Sequence, residues 1–584
     1  MALHRGVRRV AGAVSAALFA SSIWASGCGT ASDDKGGDQA LAGSGSPDGQ
    51  GGAGGTAGFG NAGSQTGGAG GSGGSGGAPM LPPEVEVRLD FELPQASESY
   101  VYAANPEGGT VSIIDAESRH IQTLETGERP TFLRTLAGTD DAIVLNVGSD
   151  DATIIRNPDG RATTSNVAVV RGANAIAVAP DGKHAVVYFN ASFSTAGNAS
   201  GSLQDVSVLK LERGDDKVID MTVGFRPRDV FFAQDGSAAY MVTEDGISVL
   251  DFGDVEASGS GFAPKISLGD DIDQKTLDVS VTPNGAYALA RQPGQSEVRL
   301  INLRTGDIDV LDLASLLPAI EEQPSDEDGG VEMPEPLPVE ITDLDLAASG
   351  TVAAAVLRNQ SSLLVLPIPG AFEDVDSISV RKVEGTVVGS AAVAPNGKTA
   401  LLYTTATPIE HLTVVDLENE DIAPRTLALR KAVRAVAVAP DSQTALVLHE
   451  KAQGDPNEPG IDPDVAIDRM YGYSGVRIAD GAVKLQQTAT PPGAFTVVPD
   501  GSAIFVLFRD DALAVREVHR IDTRSFLVTP TRLASPPISI GSVPQSDSVF
   551  VSQDHPEGRI TFIDWNDGQK DTVTGFELNS RIRD

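Results

Sequence analysis

Cysteine is the scarcest residue in this 584-residue chain, in which Cys28 is the only one. A single cysteine excludes an intramolecular disulfide and any metal site built from several thiolates. A chain of this length can bury a core large enough to fold without such supports. The fold must therefore be explained by packing and backbone hydrogen bonding alone.

Basic residues are also few. The chain has 43 Lys and Arg residues against 80 Asp and Glu residues, which gives a formal net charge of -37. Such a surface repels phosphate backbones and anionic membrane faces, so it disfavours binding to nucleic acid and to bilayer surfaces. It favours cations and basic partners weakly, because solvated charge mainly confers solubility.

The motifs of several enzyme classes are missing as well. No serine nucleophile elbow, phosphate-binding loop or dinucleotide-binding fingerprint occurs in the strand and helix context that it needs. None of the seven histidines forms an HExxH sequence or another close metal-binding pair. The sequence thus indicates no catalytic residue, no cofactor site and no metal site.

The N-terminus has the layout of a secretory signal peptide. Met1–Val10 carries three arginines and no acid, and the apolar stretch Ala11–Trp24 that follows is too short to span a bilayer. Ala25-Ser26-Gly27-Cys28 comes next, and small residues before a lone cysteine resemble a bacterial lipobox, although Ala25 stands where that family prefers leucine. An ordinary signal peptide cleaved nearby, with Cys28 incidental, is the alternative.

The lipobox resemblance implies that residues 1–27 are a lipoprotein signal peptide and that Cys28 is acylated and becomes the mature N-terminus. Two or more acyl chains give stable anchoring, because each buried methylene contributes ~0.8 kcal/mol. Gly29, rather than aspartate, follows the cysteine. By the same resemblance this implies a lipid-anchored protein of the bacterial cell envelope, in the outer membrane.

Residues 28–83 are dominated by Gly, Ser and Ala, with runs such as TGGAGGSGGSGGAP. They hold too little apolar surface to offset the entropy lost on ordering, so we expect a disordered tether. A flexible coil of about 55 residues reaches roughly 40 Å. That reach would hold a folded domain away from a membrane.

A repeated phrase organises the rest of the chain. Tyr100–Asp115 reads YVYAANPEGGTVSIID, and Pro94–Asp115 as a whole is matched near the C-terminus by Pro544–Asp564. Ile247–Asp251 and Leu412–Asp416 repeat its second half. Similarity at a period of roughly 45–60 residues in all-strand units predicts a β-propeller.

Turn signals punctuate the chain at ten places, of which Ala179-Pro180-Asp181-Gly182 is typical. The other nine are Pro94–Ser97, Ala137–Asp140, Ala233–Gly236, Thr282–Gly285, Ala348–Gly350, Ala394–Gly397, Ala439–Ser442, Val498–Gly501 and Pro544–Ser546. Each is preceded by a strand of small and β-branched residues that we assign to the innermost position of a blade, and it links that strand to an antiparallel neighbour.

The ten units predict an all-β propeller of four-stranded antiparallel blades over residues 84–584. Ten exceeds the usual four to eight blades, so one large ring, two rings and split blades counted twice are all open, with a blade number of seven to ten. No linker-like stretch divides Glu84–Asp584, which favours a single ring. Helix is expected only as a short turn within Asp312–Ile320.

The phrase YVYAAN…TVSIID resembles the YVTN-type repeats of bacterial surface and periplasmic propellers, and more loosely the repeats of lactonase-like propellers. This resemblance implies the propeller fold and a location outside the cytoplasm. It leaves function open, because lactonase-like and quinoprotein-like propellers are enzymes with a site on the rim or in the channel, whereas other propellers only bind partners.

Two insertions interrupt the period, at residues 321–340 and 452–470. Insertions between propeller strands emerge as loops on one face, where ligands often bind. The second insertion carries five oxygen-bearing side chains that form a candidate ligand loop: Asp455, Asn457, Glu458, Asp462 and Asp464. Calcium is a weak possibility, since the spacing matches no EF-hand loop and a solvated acidic loop explains the same residues.

Two functions remain open on these observations. The first is a non-enzymatic envelope lipoprotein whose propeller binds a protein, peptide or glycan. The second is a lactonase-like or quinoprotein-like enzyme. A pocket holding two or more of His449, His555, Asp455, Asp462 and Arg469 within about 6 Å would favour the enzyme, because charges at that range perturb each other's pKa.

Overall fold

The fold is a ten-bladed β-propeller, which confirms the all-β prediction and the single ring. The computed structural model describes residues 94–193, 201–269, 276–317 and 339–576, together with the backbone of Thr56–Ala57. Ten antiparallel four-stranded units follow one another along the chain. First strands of neighbouring blades contact each other, so the first strand of each blade lies nearest the axis.

The strands of each blade are given in order from the axis outward. Blades 1 to 3 contain Gln95–Ala96, Tyr100–Asn105, Thr110–Asp115 and Ile121–Glu125; Pro130–Thr135, Ala142–Asn146, Asp151–Arg156 and Thr163–Ala168; and Ala175–Val178, His184–Tyr188, Asp205–Lys210 and Lys217–Thr222. Blades 4 to 6 contain Asp229–Phe232, Ala238–Thr243, Gly246–Asp251 and Lys265–Ile266; Asp278–Val281, Tyr287–Arg291, Glu297–Asn302 and Ile308–Asp312; and Asp343–Leu346, Val352–Leu357, Ser362–Pro367 and Ser379–Lys382. Blades 7 and 8 contain Ser390–Val393, Thr399–Tyr403, His411–Asp416 and Arg425–Ala428; and Val433–Val438, Thr444–His449, Tyr471–Arg477 and Ala482–Thr488. Blades 9 and 10 contain Pro492–Val497, Ala503–Asp510, Val515–Asp522 and Val528–Arg532; and Pro537–Val543, Ser548–Gln553, Arg559–Asp564 and Lys570–Thr574.

Two short strands add to these blades. Gly261–Phe262 pairs in parallel with the fourth strand of blade 3, and Thr56–Ala57 pairs antiparallel with the first strand of blade 9. Both pairings involve only two residues of the added strand. The four-stranded unit therefore remains the repeating element of the ring.

Helices are short and lie in connections between strands. They are α1 (Phe252–Ser258), α2 (Gly370–Glu373) and α3 (Pro463–Asp468), with 3-10 turns at Pro158–Gly160, Ala191–Phe193, Leu313–Leu316, Arg358–Gln360, Val375–Ser377 and Pro544–Ser546. The helical turn expected within residues 312–320 is confirmed as Leu313–Leu316, which Asp312 caps by accepting a hydrogen bond from the Ala314 amide. The other helices span two turns or fewer, too short for a helical periodicity to emerge from the sequence. In the part of the chain that the structure describes, no helix has the length and apolar character needed to cross a membrane.

Nine of the ten turn signals lie between the first and second strands of a blade, whereas Pro94–Ser97 was placed wrongly because it contains the first strand of blade 1, Gln95–Ala96. In blade 3 the Gly182 amide donates to the Ala179 carbonyl at 2.9 Å, and the Lys183 amide donates to Oδ1 of Asp181 at 2.9 Å. Gly182 has a φ of 68°, a left-handed conformation in which a residue with a β-carbon is strained. This is why the Asp-Gly pair recurs at the same place in the repeat.

The core consists of apolar layers between neighbouring blades. Within the described ranges there are ten such clusters, and each joins side chains from two adjacent blades. This follows from the alternation of side chains along each strand, which exposes an apolar face to both neighbours. A blade buried on both sides cannot be removed without exposing two layers.

Ring closure depends on the layer between blades 10 and 1. Val101 and Ile114 of blade 1 pack with Phe550 and Phe562 of blade 10. The Arg119 guanidinium lies 4.2 Å above the Phe562 ring centroid and also pairs with Asp571 at 3.2 Å. Because every strand of blade 1 is N-terminal and every strand of blade 10 is C-terminal, side-chain packing, rather than a shared blade, closes the ring.

The ring has two faces of different character. We call the loop face the one that carries the connections between second and third strands, such as residues 450–470, and the connections between blades, such as residues 429–432. The turn face carries the connections between first and second strands, such as residues 439–443, and between third and fourth strands, such as residues 157–162. Antiparallel pairing within every blade forces this division, because consecutive strands run in opposite directions.

Candidate functional site

The most elaborate connection of the described chain lies on the loop face of blade 8. Residues 450–470 join its second and third strands and contain α3. Asp462 begins this helix by accepting a hydrogen bond from the Asp464 amide at 2.8 Å, and Pro463 occupies the first helical turn, where its missing amide hydrogen costs nothing. The connection is therefore an ordered element that contains its own capped helix.

Lys431 holds the end of α3 against the ring. This lysine belongs to the connection between blades 7 and 8, is 0% exposed, and donates from Nζ to the carbonyl oxygens of Ile467 and Asp468 at 2.9 Å each. The last carbonyls of a helix have no partner within the helix, so a lysine there satisfies them and complements the helix dipole. Burial lowers the pKa of Lys431, and the nearby carboxylates of Asp468, Glu410 and Glu450 oppose that shift.

Arg469 closes the other side of the loop. Its Nη1 donates to the Asp455 carbonyl at 3.1 Å and to Oε2 of Glu458 at 2.6 Å. Gly454 makes this approach possible, because a β-carbon there would lie 2.5 Å from Nε of Arg469. Two basic side chains thus fix both ends of an exposed acidic loop.

The five candidate ligand residues lie along this loop but do not converge on one point. Asp455 accepts a hydrogen bond from the Asn457 amide, Asp462 caps α3, and Glu458 pairs with Arg469. Asp464 is exposed in the first turn of α3. Across the described ranges, no three His, Cys, Asp or Glu side chains are grouped as a metal site would require. A ligand role for these residues stays a prediction.

Of the residues named for the enzyme hypothesis, only Arg469 and Asp455 are in direct contact, and that contact is to a main-chain carbonyl. His449 is 2% exposed at the end of the second strand of blade 8. Its Nδ1 lies 3.2 Å from the Ala432 carbonyl, so Nδ1 donates, and Nε2 accepts from the Ser474 hydroxyl at 2.7 Å. The pair has the residue types of a nucleophile and its base, but Ser474 is 0% exposed and could not meet a substrate in this conformation.

His449 should make the ring sensitive to acid. Burial lowers its pKa to about 4, and Lys431 acts in the same direction. Because its pKa is lowered, His449 is neutral in the folded state at neutral pH. Its contribution to the free energy of unfolding is therefore complete above pH 6.5 and is lost as the pH falls toward 4. Between pH 7 and pH 4 we expect the free energy of unfolding of the wild type to fall by up to about 3 kcal/mol more than that of His449→Gln. Urea unfolding across this range measures the difference, with the exposed His411→Gln as control, and parallel profiles for wild type and His449→Gln would contradict it.

A second cluster of charges is buried where the first strands of blades 5 and 6 begin. Arg291 is 4% exposed, and its Nε pairs with Oδ2 of Asp278 at 3.0 Å. Its Nη1 donates to the Ile341 carbonyl at 3.1 Å, and its Nη2 lies 3.9 Å from Oδ1 of Asp343. The arginine therefore bridges two blades through their carboxylates.

The carboxylates of this cluster also bond to main chain of the next blade. Asp343 accepts from the Ala391 amide and Asp345 from the Val393 amide, each at 2.7 Å. Burial raises the pKa of Asp278 to about 6 despite Arg291, and burial together with Asp343 raises the pKa of Asp345 well above its ordinary value. These groups join blades 5, 6 and 7 and are closed to solvent, so we assign them to stability.

Sequence reasoning did not single out Lys431 or this buried cluster. A signal for the cluster was present, because an Asp followed by an apolar residue begins the first strand three times, at Asp229, Asp278 and Asp343. Aspartates that end third strands serve as turn residues: Asp115, for example, accepts hydrogen bonds from the Glu117 and Ser118 amides. Cys28, most of the insertion at 321–340, and the tether apart from the backbone of Thr56–Ala57 lie outside the described residues.

No protein-family model matches the chain, and no curated protein matches it. Among solved structures the chain is similar to the hydrazine synthase of Kuenenia stuttgartiensis, with 16% identity, coverage of 59% of this chain and 99% of that chain, and a TM-score of 0.28. It is also similar to the dihydro-heme d1 dehydrogenase NirN (10% identity, 86% and 80% coverage, TM-score 0.37) and to apo AztD from Citrobacter koseri (12% identity, 76% and 98% coverage, TM-score 0.35). These are β-propeller proteins. Identities this low, with TM-scores below 0.5, say nothing about what this chain binds or catalyses.

Proposed function

We propose that this protein is a non-enzymatic binding module of the bacterial cell envelope, anchored by lipid at Cys28, whose propeller presents the loop 450–470 to a basic segment of a protein or peptide partner. The observation that carries this proposal is the rigid mounting of an exposed acidic loop on the ring. Lys431 holds the loop by its main chain, and Arg469 holds it by the Asp455 carbonyl and the Glu458 carboxylate. Asp455, Asp462 and Asp464 remain exposed.

The charge of the loop supports a basic partner. Residues 450–470 contain six acidic residues, Glu450, Asp455, Glu458, Asp462, Asp464 and Asp468, and two basic ones, Lys451 and Arg469. A preformed loop loses little conformational entropy on binding, and complementary charge raises the rate of encounter. A neutral glycan would gain nothing from this excess of negative charge, so a protein or peptide fits better.

The location is proposed from the N-terminal segment. A leader with the layout of a lipoprotein signal is followed by residues poor in apolar side chains. Because Thr56–Ala57 pairs with blade 9, the lead from Cys28 to the ring would be about 28 residues, with a coil reach of roughly 30 Å. Gly29 after the cysteine favours the outer membrane. A lead of this kind would suit a module that captures partners, since it would let the loop face reach partners around its anchor.

The enzyme alternative draws no comparable support. His449 is buried against Ser474, and Arg469 and Glu458 are engaged in holding the loop. These contacts support blade 8 and hold the loop 450–470 on it, as the binding proposal requires. We therefore propose binding, rather than lactonase-like or quinoprotein-like catalysis, as the function.

A charge reversal on the loop tests the proposal. Asp464→Lys should weaken capture of the partner at least about fivefold, because Asp464 is exposed and a reversed charge repels a basic segment. The measurement is crosslinking in intact cells, followed by purification and quantification of the crosslinked proteins by mass spectrometry. Asp421→Lys, an equal charge change in the third-to-fourth connection of blade 7 on the turn face, is the matched control.

If Asp464→Lys and Asp421→Lys recover the same proteins in the same amounts as wild type, the loop does not bind the partner. If both variants lose a partner equally, general charge rather than the loop is responsible. Either result would overturn the proposed role of residues 450–470.

A further inference from the structure

The first strand of blade 9 carries a further strand on its axial side. Thr56–Ala57 pairs antiparallel with Pro492–Val497, on the edge opposite the second strand of the blade. The register places the two residues opposite Thr496 and Phe495, respectively. They also contact the first strand of blade 10. A segment of the chain that is remote in sequence therefore lies at the inner wall of the ring, between blades 9 and 10.

The inner side of each blade is the edge of a sheet. Such an edge presents a row of backbone amide and carbonyl groups that can pair with another segment of chain. Within the described ranges, the first strands of the other nine blades carry no strand on this side. Proteins bind extended peptides in this way, because the backbone hydrogen bonds of an added strand provide affinity. Blade 9 is thus the place where the ring is seen to accept an added strand.

The chain's own segment covers only part of this edge. The first strand of blade 9 is six residues long, whereas Thr56–Ala57 lies opposite two of its positions. A pairing of two residues contributes little stability, because each ordered residue loses backbone entropy and few hydrogen bonds offset that loss. A longer extended peptide can pair with more of the strand, so it can displace the two residues from the edge.

The composition of the two strands indicates which peptide fits. The first strands of blades 9 and 10 read PGAFTV and PISIGSV, without a charged residue. Charged residues occur in the first strands of five other blades, for example Arg134, Asp278 and Arg434. A charged side chain placed between blades 9 and 10 would find no countercharge on either strand, so an uncharged peptide is favoured. The chain's own segment, GGTAG at residues 54–58, has this character.

We propose that the axial edge of blade 9 binds an extended, uncharged peptide segment of a partner by strand addition, and that Thr56–Ala57 occupies this edge until the peptide displaces it. Because Thr56–Ala57 belongs to the same chain, it competes at a fixed effective concentration. It therefore sets a threshold that only a peptide with more extensive pairing overcomes. The edge includes no residue of the loop 450–470, so this site is independent of the proposed function.

Two prolines in the competing segment test the proposal. The double variant Thr56→Pro, Ala57→Pro removes both amide hydrogens of the added strand and should leave the edge open to a peptide. The probe is the uncharged peptide GTATATAG with a benzophenone at its N-terminus, which repeats the Thr-Ala pair and is long enough to cover six positions. Photocrosslinking to the purified full-length protein, titrated against peptide concentration, measures affinity, and mass spectrometry locates the crosslink.

We expect saturable crosslinking to the first strands of blades 9 and 10, with an affinity at least about fivefold higher for Thr56→Pro, Ala57→Pro than for wild type, because the competing strand is removed. The matched control Thr66→Pro, Gly67→Pro places two prolines ten residues further along the chain and should bind the peptide as wild type does. The peptide GTPTPTPG, which lacks the central amide hydrogens, should not bind.

Four results would each overturn the proposal: no saturable crosslinking, equal affinity of wild type and Thr56→Pro, Ala57→Pro, equal binding of GTPTPTPG, or crosslinks confined to other blades. Urea unfolding distinguishes a displaceable strand from a structural one. The curves of both proline variants should match that of wild type. A lower stability of Thr56→Pro, Ala57→Pro alone would show that the segment belongs to the ring and is not a displaceable occupant, which also contradicts the proposal.

Discussion

Arg291→Met is expected to lower the free energy of unfolding by about 3–5 kcal/mol, because it leaves Asp278 and Asp343 buried without their countercharge. Methionine keeps most of the volume of the side chain, so the loss reports electrostatics rather than a cavity. Urea unfolding at pH 7, monitored by tryptophan fluorescence and by circular dichroism, measures it.

The pH dependence identifies the cause of that loss. Once Arg291 is gone, the carboxylates can relieve their cost by binding protons, so the deficit of the variant should shrink as the pH falls from 7 toward 4. Asp278 already has a pKa raised to about 6 by burial, and such a raised value means that its folded form gains stability at low pH and loses it as the pH rises through 6. The double variant Asp278→Asn, Arg291→Met should recover part of the stability.

The exposed Arg304 provides the control, since Arg304→Met removes an arginine from the same blade without uncovering a buried carboxylate. We expect it to change stability by less than about 0.5 kcal/mol. A small effect of Arg291→Met, equal to that of Arg304→Met, would show that water reaches the cluster and that the three blades are not joined through it.

Cys28→Ser is expected to release the protein from the membrane completely. The proposed anchor is covalent lipid on this cysteine, and its acyl chains would supply the attachment, because each buried methylene contributes ~0.8 kcal/mol. Detergent phase partitioning of cell extracts measures the shift from the detergent phase to the aqueous phase.

A serine in the same segment provides the matched control: Ser32→Ala should leave the protein in the detergent phase. Retention of Cys28→Ser in that phase would refute lipidation and, with it, the envelope anchor. Loss of the anchor should not unfold the ring, so the unfolding curve of the released protein should match that of wild type. A lower stability would instead show that the N-terminal segment supports the propeller.

The architecture was largely readable from the sequence because it is local and repeated. The turn of the type Ala-Pro-Asp-Gly at residues 179–182 demands one backbone conformation, and the strands beside it alternate apolar residues with period two. These are short-range requirements, so they recur visibly ten times. The blade number was left at seven to ten because a period counts units but does not show which strands share a sheet.

The site was less predictable, since its parts come from distant positions in the chain. The acidic loop was recognised as an insertion, but Lys431, which holds it, precedes the loop by about twenty residues and looks like any other lysine. A polar pocket between blades 1 and 2 combines Tyr100 with Asp159, whose proximity exists only because neighbouring blades stack. A buried acceptor such as Oδ1 of Asn157 cannot be identified until every neighbour is known.

What the sequence determined by itself is the repeating unit: its strands, its tight turns and its cap-forming aspartates, all set by conformational preferences over a few residues. The leader and tether were likewise indicated by composition alone. Tertiary structure decided that ten units close into one ring, that Lys431 is buried against main-chain carbonyls and Arg291 against carboxylates, and that a polar pocket forms between two blades. The physical reason is that ring closure, burial and desolvation depend on contacts between residues that lie far apart in the chain. The conformational preferences of a few neighbouring residues do not specify such contacts.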